Sequence, residues 1–124
     1  MTTINTNDLI GLALDWAVEL AKGTHWSPNG YFVFKHPDGT TRIFERNPEW
    51  RYSTHWAQSG PIIDREKISV RSTPVSSGIV WFATYNPDND YAFCGDGPTL
   101  LIAAMRCFCA SKLGDTVEVP EELA

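Results

Sequence analysis

The chain has 124 residues, 43% hydrophobic and 20% charged, which is the length and apolar content of one compact domain over residues 1–124. Its formal net charge of −5 argues against a nucleic-acid polymer as partner, because a polyanion would meet repulsion over most of the surface. The first residues lack the basic start of a secretion signal, and Asp15 and Glu19 interrupt the apolar stretch that follows. We therefore expect a cytoplasmic protein without a membrane span, and its odd number of cysteines favours reduced thiols.

Helical periodicity predicts a first helix that Thr6 or Asn7 caps and that ends near Lys22, before Gly23. Its apolar stripe contains five residues at helical spacing: Leu9, Leu12, Ala13, Trp16 and Leu20. Asp15 lies away from this stripe, so exposed helix surface is its favoured role. If it faced a pocket instead, its carboxylate would bind a ribose or an amine.

The middle of the chain predicts strands. The runs 31–34 and 41–44 flank a Pro-Asp-Gly turn and predict a hairpin within a variable segment of about residues 25–50. Residues 68–71 and 78–85 predict two further strands, and the apolar character of the second predicts a central place in the sheet. We expect a loop over residues 72–77.

A second main helix is predicted from the Gly-Asp-Gly-Pro-Thr run at residues 95–99 to about Leu113, with Pro98 at its first position and Gly114 as its stop. Residues 115–120 predict a short last strand or an extended tail. The expected fold is α+β, with an antiparallel sheet that carries two main helices.

The segment 52–66 combines hydroxyl, imidazole, indole, amide, guanidinium and carboxylate groups around one Gly-Pro turn, which is typical of a small-molecule pocket. Trp56 would stack on an adenine or, equally, pack in the core. Ser53 and Thr54 would bind phosphate or ribose oxygens, although capping of a short helical turn over residues 55–58 is favoured. His55 and Gln58 complete the candidate ligand-binding residues of this turn.

Arginines and a helix start are the candidate anion sites. Arg106 would bind a pyrophosphate, and Arg65 is a second candidate, against the alternative of ion pairs with neighbouring carboxylates. The backbone N–H groups at Thr99 would attract an anion through the helix dipole. An ordinary helix start is favoured there, because the adjacent Asp96 would repel a phosphate.

No pair of residues has the spacing of a metal site, and we expect neither a metal nor a cofactor. An enzyme would use His55 or Glu66 as general base, but no catalytic motif accompanies them. The 12% of aromatic residues also suits a protein-binding module. We expect a homo-oligomer, with a dimer as the commonest closed form.

Four blocks, at residues 12–18, 56–66, 97–107 and 110–115, resemble in the same order those of the NinX-like family of bacteriophage proteins. The family block usually has two glycines before its proline, where this chain has Ser59 and Gly60, and residues 25–50 lie outside the resemblance. The resemblance implies a phage origin and a location in the host cytoplasm, and it carries no activity and no site residues.

In size and general character the chain is also similar to small α+β sponge proteins that antagonise Thoeris defence. Those proteins sequester cyclic ADP-ribose or ADP-ribose conjugates made by TIR enzymes. This analogy predicts a phage anti-defence protein that binds a nucleotide-derived immune signal without cleaving it. The alternatives are a protein-binding accessory factor that inhibits a host enzyme, and a hydrolase of the nucleotide signal.

Overall fold

The computed structural model describes residues 2–26, 32–35, 41–44, 50–86, 92–119 and 121–123. Within these residues three α-helices accompany three antiparallel sheets, which confirms the α+β class. The helices are α1 (Gly11–Ala21), α2 (Trp56–Glu66) and α3 (Leu100–Leu113). The strands are β1 (Thr2–Asn5), β2 (Thr24–Trp26), β3 (Phe32–Lys35), β4 (Thr41–Phe44), β5 (Ser69–Val75), β6 (Gly78–Tyr85), β7 (Phe93–Gly97) and β8 (Thr116–Val119).

The strands form a β1–β8 pair, a β2–β3–β4 sheet and a β5–β6–β7 sheet, where we had expected one sheet. Strand β6 is the central strand of its sheet, as its apolar sequence predicts. The hairpin of β3 and β4 is also confirmed, while its turn at residues 36–40 and the predicted strand residue 31 lie outside the described residues. No helix in the described ranges is both long and apolar enough to cross a membrane.

Helix α3 is the centre of the core. It packs on α1 and on strands β5 to β7, and half of its residues are buried. Among the largest fully buried side chains are Met105, Phe108, Leu14 and Val18, which come from α3 and α1. Burial of each such side chain stabilises the fold by roughly 1.5–3 kcal/mol, so the α1–α3 contact is a major part of the hydrophobic core.

Strand β7 approaches α3 through glycine. A Cβ atom at Gly95 would lie 2.6 Å from the carbonyl oxygen of Ala103 and 2.6 Å from the backbone nitrogen of Cys107. A Cβ at Gly97 would lie 2.8 Å from a side-chain methyl group of Ile102. The strand backbone therefore lies directly against the helix backbone. The side chain of Asp96, between the two glycines, points to the opposite face of the sheet.

The predicted loop at residues 72–77 is wrong, because β5 continues through Val75 and pairs with β6 as far as Gly78. Pro74 lies within the strand, opposite Ile79. Strand β5 is at the edge of its sheet, which is where prolines within strands are accommodated, because some of the N–H groups of an edge strand have no ladder partner. Only Ser76 and Ser77 remain as the turn.

Two predicted helix starts are wrong. Residues Thr6–Asp8 form a 3₁₀ turn, and α1 begins at Gly11 without a side-chain cap. Gly95 and Gly97 belong to β7, and α3 begins after Thr99, so Pro98 precedes the helix. The side-chain oxygens of Thr6 and Asn7 do not cap α1, because they bind Asp115 and Asp96.

Helix α2 replaces the predicted Gly-Pro turn. The helical turn predicted over residues 55–58 is the start of this longer helix, and Gly60 and Pro61 both lie inside it. Pro61 is exposed and so is Ala57, whose carbonyl loses its helical N–H partner. Water on this side of the helix can satisfy that carbonyl, which explains why the proline is tolerated.

The predicted last strand is confirmed as β8, and it pairs antiparallel with β1, which the sequence did not predict. Thr6 follows β1 directly, and its N–H and hydroxyl groups both donate to the carbonyl oxygen of Asp115, at 2.9 and 3.2 Å. The two ends of the described chain are therefore joined at the edge of the core.

We expect Gly95→Ala to destabilise the protein by about 1–3 kcal/mol, because the new methyl group would push α3 away from β7. Gly97→Ala should cost less, since the first atom met there belongs to a side chain that can move. Urea unfolding of both variants tests this order. Equal stability of the Gly95→Ala variant and the natural protein would contradict the backbone contact.

Candidate functional site

A cavity of about 370 Å³ lies on the face of the β5–β6–β7 sheet opposite α3. We call it the sheet-face cavity. Its lining comes from all three strands and from the 3₁₀ turn: Asn7, Ser69, Val70, Arg71, Phe82, Ala83, Thr84, Cys94, Gly95 and Asp96. This volume is within the range of roughly 300–1,000 Å³ that is usual for small-molecule sites.

Strand register arranges the cavity side chains in two rows. Arg71 pairs with Phe82, and Phe82 pairs with Asp96, so a cation, an aromatic ring and a carboxylate cross the sheet in one line. The second row contains Ser69, Thr84 and Cys94. Directly paired residues share a face, and neighbouring strands are about 4.8 Å apart. The outer members of a row are thus separated by roughly 10 Å.

Arg71 lies over the ring of Phe82, with its guanidinium carbon 5.5 Å from the ring centroid. This is the geometry of a cation–π contact. Among the residues that the structure describes, the Arg71 guanidinium forms no ion pair. Its N–H donors are therefore available to a bound anion.

Asp96 is held by three hydrogen bonds, two with Asn7 and one with Arg106. The Asn7 Nδ2 donates to Asp96 Oδ1 at 2.9 Å, and the Asp96 backbone N–H donates to Asn7 Oδ1 at 3.0 Å. On the other side of the strand, Arg106 Nη1 donates to the Asp96 carbonyl oxygen at 2.7 Å. Asn7 is thus engaged by β7, which explains why it does not cap α1.

Arg106, the predicted pyrophosphate ligand, lies in the joint between α3, β7 and the start of α1. Its Nε donates to the carbonyl oxygen of Leu9 at 2.7 Å, in addition to the bond with Asp96. Burial lowers the pKa of Arg106, and the charges of Asp96 and Asp8 act in the opposite direction. Two of its donors are used within the fold, and it does not line the sheet-face cavity.

The prediction that Asp15 lies on an exposed helix surface is wrong, because it is only 4% exposed. Its Oδ1 accepts the backbone N–H of Ser53, which is also buried, at 2.8 Å. Burial raises the pKa of Asp15, while the hydrogen bonds from Ser53 and the charges of Arg51 and His55 partly oppose this shift. This carboxylate anchors the segment before α2 to α1.

A second carboxylate on α1 strengthens the same junction. The Tyr52 hydroxyl donates to Glu19 Oε1, and Lys22 donates to that oxygen at 3.2 Å and to the Tyr52 hydroxyl at 2.9 Å. Burial, followed by the hydrogen bond and charge of Glu19, raises the pKa of Tyr52. Ser59 of α2 donates to the Tyr52 carbonyl oxygen. The predicted polar segment is therefore largely a packing junction.

The predicted cap of the turn at residues 55–58 is also wrong. His55, and not Ser53 or Thr54, is the N-cap residue of α2, and its side chain makes no capping hydrogen bond. Thr54 is exposed, with its Oγ1 3.0 Å from Nδ1 of His55. Gln58 Oε1 accepts the backbone N–H of Arg51 at 2.6 Å. These groups stabilise the start of α2, next to its exposed surface.

Trp56 is 59% exposed, so it does not pack in the core. Its indole lies over Gly60, where a Cβ atom would come within 2.7 Å of the indole nitrogen. A shallow groove surrounds it, and we call this the Trp56 groove. Its lining is Trp56, Gly60, Ile63, Asp64, Lys67 and Ile68.

The two remaining predicted residues have other partners. Arg65 is exposed on α2, with its Nη2 4.0 Å from Glu66 Oε1, which agrees with the ion-pair alternative. Thr99 caps α3, because its Oγ1 accepts the N–H of Ile102 at 3.2 Å. The first turn of α3 therefore has a side-chain partner for one of its N–H groups.

Residues 5–112 match the family model described as Bacteriophage P22, NinX, which spans most of the chain. The chain belongs to this NinX family. The match confirms the resemblance that four sequence blocks suggested, and it is consistent with a phage accessory protein. A comparison with curated proteins gives no match.

The NinX-family region contains the whole sheet-face cavity, from Asn7 to Asp96. None of the nine predicted ligand-binding residues lines it. Arg71 and Phe82 lie in strands that the sequence did predict, so alternation along those strands was the available signal. Within the described ranges, no three His, Cys, Asp or Glu side chains come together as a metal site would require.

We expect Asp15→Asn to keep the bond to the Ser53 N–H. Asp15→Leu should destabilise the protein by about 1–3 kcal/mol, because it leaves that N–H without an acceptor.

The raised pKa of Asp15 means that the folded state favours its protonated form. Its stabilising effect is therefore present at low pH and is lost as the pH rises through the folded pKa. Stability of the Asp15→Asn variant relative to the natural protein should thus increase from about pH 4 upward. Thermal unfolding between pH 4 and 8 measures this, and a decreasing difference would contradict it.

Proposed function

We propose that this NinX-family protein is a phage anti-defence protein that binds and sequesters a nucleotide-derived immune signal without cleaving it. The signal belongs to the cyclic ADP-ribose and ADP-ribose conjugates made by TIR enzymes, so the protein acts in the host cytoplasm. The binding site is the sheet-face cavity. The observation that carries the proposal is the row of Arg71, Phe82 and Asp96 across one sheet face.

The two rows match the parts of a nucleotide. A base would stack on the face of the Phe82 ring that Arg71 does not cover, an interaction worth roughly 1–3 kcal/mol per base. Arg71 has free donors for a phosphate. The hydroxyls of Ser69 and Thr84 lie beside that row and suit a ribose.

The cavity is near the lower end of the usual volume range, so it encloses the nucleoside part and the rest of the ligand extends from its mouth. An ADP-ribose-sized ligand has on the order of 35–40 heavy atoms. At the limit of roughly −0.3 kcal/mol per atom, a ligand in contact over its whole length would reach about −11 kcal/mol, or about 10 nM, as an upper bound. Such an affinity is sufficient to sequester a scarce signal.

Sequestration is favoured over hydrolysis by the chemistry of the lining. The described residues that line the cavity include no histidine and no lysine. Their one carboxylate, on Asp96, already accepts a hydrogen bond from Asn7. His55 and Glu66, the candidate general bases of a hydrolase, lie outside this lining.

A protein-binding accessory factor is the second candidate, and the exposure of Trp56 favours it. A large exposed indole is the kind of side chain that anchors a protein interface. The Trp56 groove shares no lining residue with the sheet-face cavity. The two candidate functions are thus separable by single substitutions.

A homodimer is part of both proposals. Light scattering measures the mass of the protein in solution and tests it.

Titration calorimetry with ADP-ribose and cyclic ADP-ribose tests the first candidate. We expect binding by the natural protein, and a loss of about tenfold or more in Arg71→Ala, because a charge-assisted hydrogen bond contributes roughly 1.5–3 kcal/mol. Arg65→Ala is the matched control, since it removes an exposed arginine outside the cavity. Equal affinity of both variants would contradict the assigned site.

The fate of the ligand distinguishes the alternatives. After heat denaturation of the complex, chromatography should recover the ligand intact, whereas cleaved ligand would indicate a hydrolase. If neither compound binds, the Trp56→Ala variant becomes the informative one. Loss of a host protein from pull-downs with that variant would then support the accessory factor.

A further inference from the structure

We propose that the carboxylate of Asp96 selects the base of the ligand by accepting a hydrogen bond from an exocyclic amino group. The cavity then takes amino-bearing bases, of which adenine is the example, and rejects bases with a carbonyl oxygen at the same position. This inference rests on the proposed function, since it concerns the ligand of the same cavity.

The charges of the cavity decide where the anionic part of the ligand can bind. Among its described lining residues, Arg71 and Asp96 are the only formally charged ones, and they lie at opposite ends of one row. A phosphate at Asp96 would meet a like charge, so the anionic part of the ligand belongs at Arg71. The group near Asp96 must be a hydrogen-bond donor, because a carboxylate only accepts.

Phe82 and Asp96 are close neighbours in the row. Phe82 lies one strand away from Asp96, about 4.8 Å between backbones. A base that stacks on Phe82 thus lies beside Asp96, and under this inference its edge, and not its sugar, faces the carboxylate. The ribose then lies toward Ser69 and Thr84 in the second row. An exocyclic amino group is the strong donor on the edge of adenine.

The carboxylate of Asp96 has a fixed position. Asn7 donates to Asp96 Oδ1 at 2.9 Å and also accepts the Asp96 N–H, so the side chain is held from both ends. Oδ2 has no protein partner among the described residues, so this oxygen remains available to the ligand. Arg106 fixes the backbone of the same residue from behind the sheet. Asn7 is accordingly a positioning residue, and Asp96 makes the contact.

Adenosine 5′-monophosphate and inosine 5′-monophosphate are suitable probes, because they differ in whether an amino group or a carbonyl oxygen occupies one ring position. We expect the natural protein to bind the adenosine compound about tenfold tighter. In Asp96→Asn the preference should disappear or invert. The amide oxygen can still accept from Asn7, and the amide NH₂ then faces the ligand and donates to the carbonyl of hypoxanthine.

Asp64→Asn is the matched control, because Asp64 is an exposed carboxylate on α2 outside the cavity, and it should keep the natural preference. Asn7→Ala is the second variant. It leaves the carboxylate in place but unheld, so the preference should shrink without inverting. If thermal denaturation shows that Asp96→Asn is not folded, the nucleotide preference of Asn7→Ala tests the inference.

Two results would overturn the inference, and only the second would also contradict the proposed function. Equal binding of both nucleotides by the natural protein, or a preference unchanged in the folded cavity variants, removes Asp96 as the selecting group but leaves a nucleotide-binding protein. No binding of either nucleotide, together with no binding of ADP-ribose, removes the proposed function as well.

Discussion

The backbone contact between α3 and β7 is the constraint on which the site depends. Gly95 and Gly97 have no side chains, so the strand lies directly on the helix, and a methyl group at Gly95 would collide with backbone atoms on the helix. Because side chains alternate along a strand, the residue between these glycines must face away from the core. The close packing of the core and the position of the Asp96 carboxylate therefore have the same cause.

Polar groups extend this constraint through the fold. Arg106 donates to the carbonyl oxygens of Leu9 and Asp96, so it links the start of α1 to β7. Its burial carries a desolvation cost, which the lowered pKa reflects, and hydrogen bonds to two carbonyl oxygens offset part of it. Asp15, near the middle of α1, links this helix to the segment before α2, because it accepts the Ser53 N–H. Helix α1 is thus positioned just before its start, at Leu9, and near its middle, at Asp15, by polar contacts with specific geometry, in addition to its apolar packing.

The parts of the fold that the sequence predicted are those with a strong local period. The apolar run of β6 and the end of α3 at Gly114 needed no information from distant residues. Helix α2 was missed because Gly60 and Pro61 normally favour a turn. Here the glycine makes room for the indole of Trp56, and the proline lies on the exposed side. Only the folded arrangement shows these two compensations.

The candidate site was less predictable than the fold, for a physical reason. Arg71 and Asp96 are far apart in the sequence and meet Phe82 only through the register of three strands. A strand position that faces outward looks like ordinary solvent-exposed surface until the neighbouring strands are known. Conversely, the concentration of polar side chains in residues 52–66 suggested a pocket, whereas Ser53 and Asp15 are buried and bind each other. Many polar side chains in a short segment are compatible both with a ligand site and with a junction between elements, and the sequence alone does not distinguish the two.

The charge distribution has a further consequence for the ligand. The chain carries a formal net charge of −5, so its field repels polyanions and slows the approach of any anion. The sheet-face cavity contains one arginine and one carboxylate among its described lining residues, so it is close to neutral. A ligand with a single anionic end and an uncharged donor at the other end is best matched to this arrangement, and its retention depends on slow dissociation more than on fast capture. A ligand with phosphates at both ends would place one of them against Asp96. Under the proposed function, the same cavity would admit a mononucleotide unit and would discriminate against a symmetric dinucleotide, without any steric block.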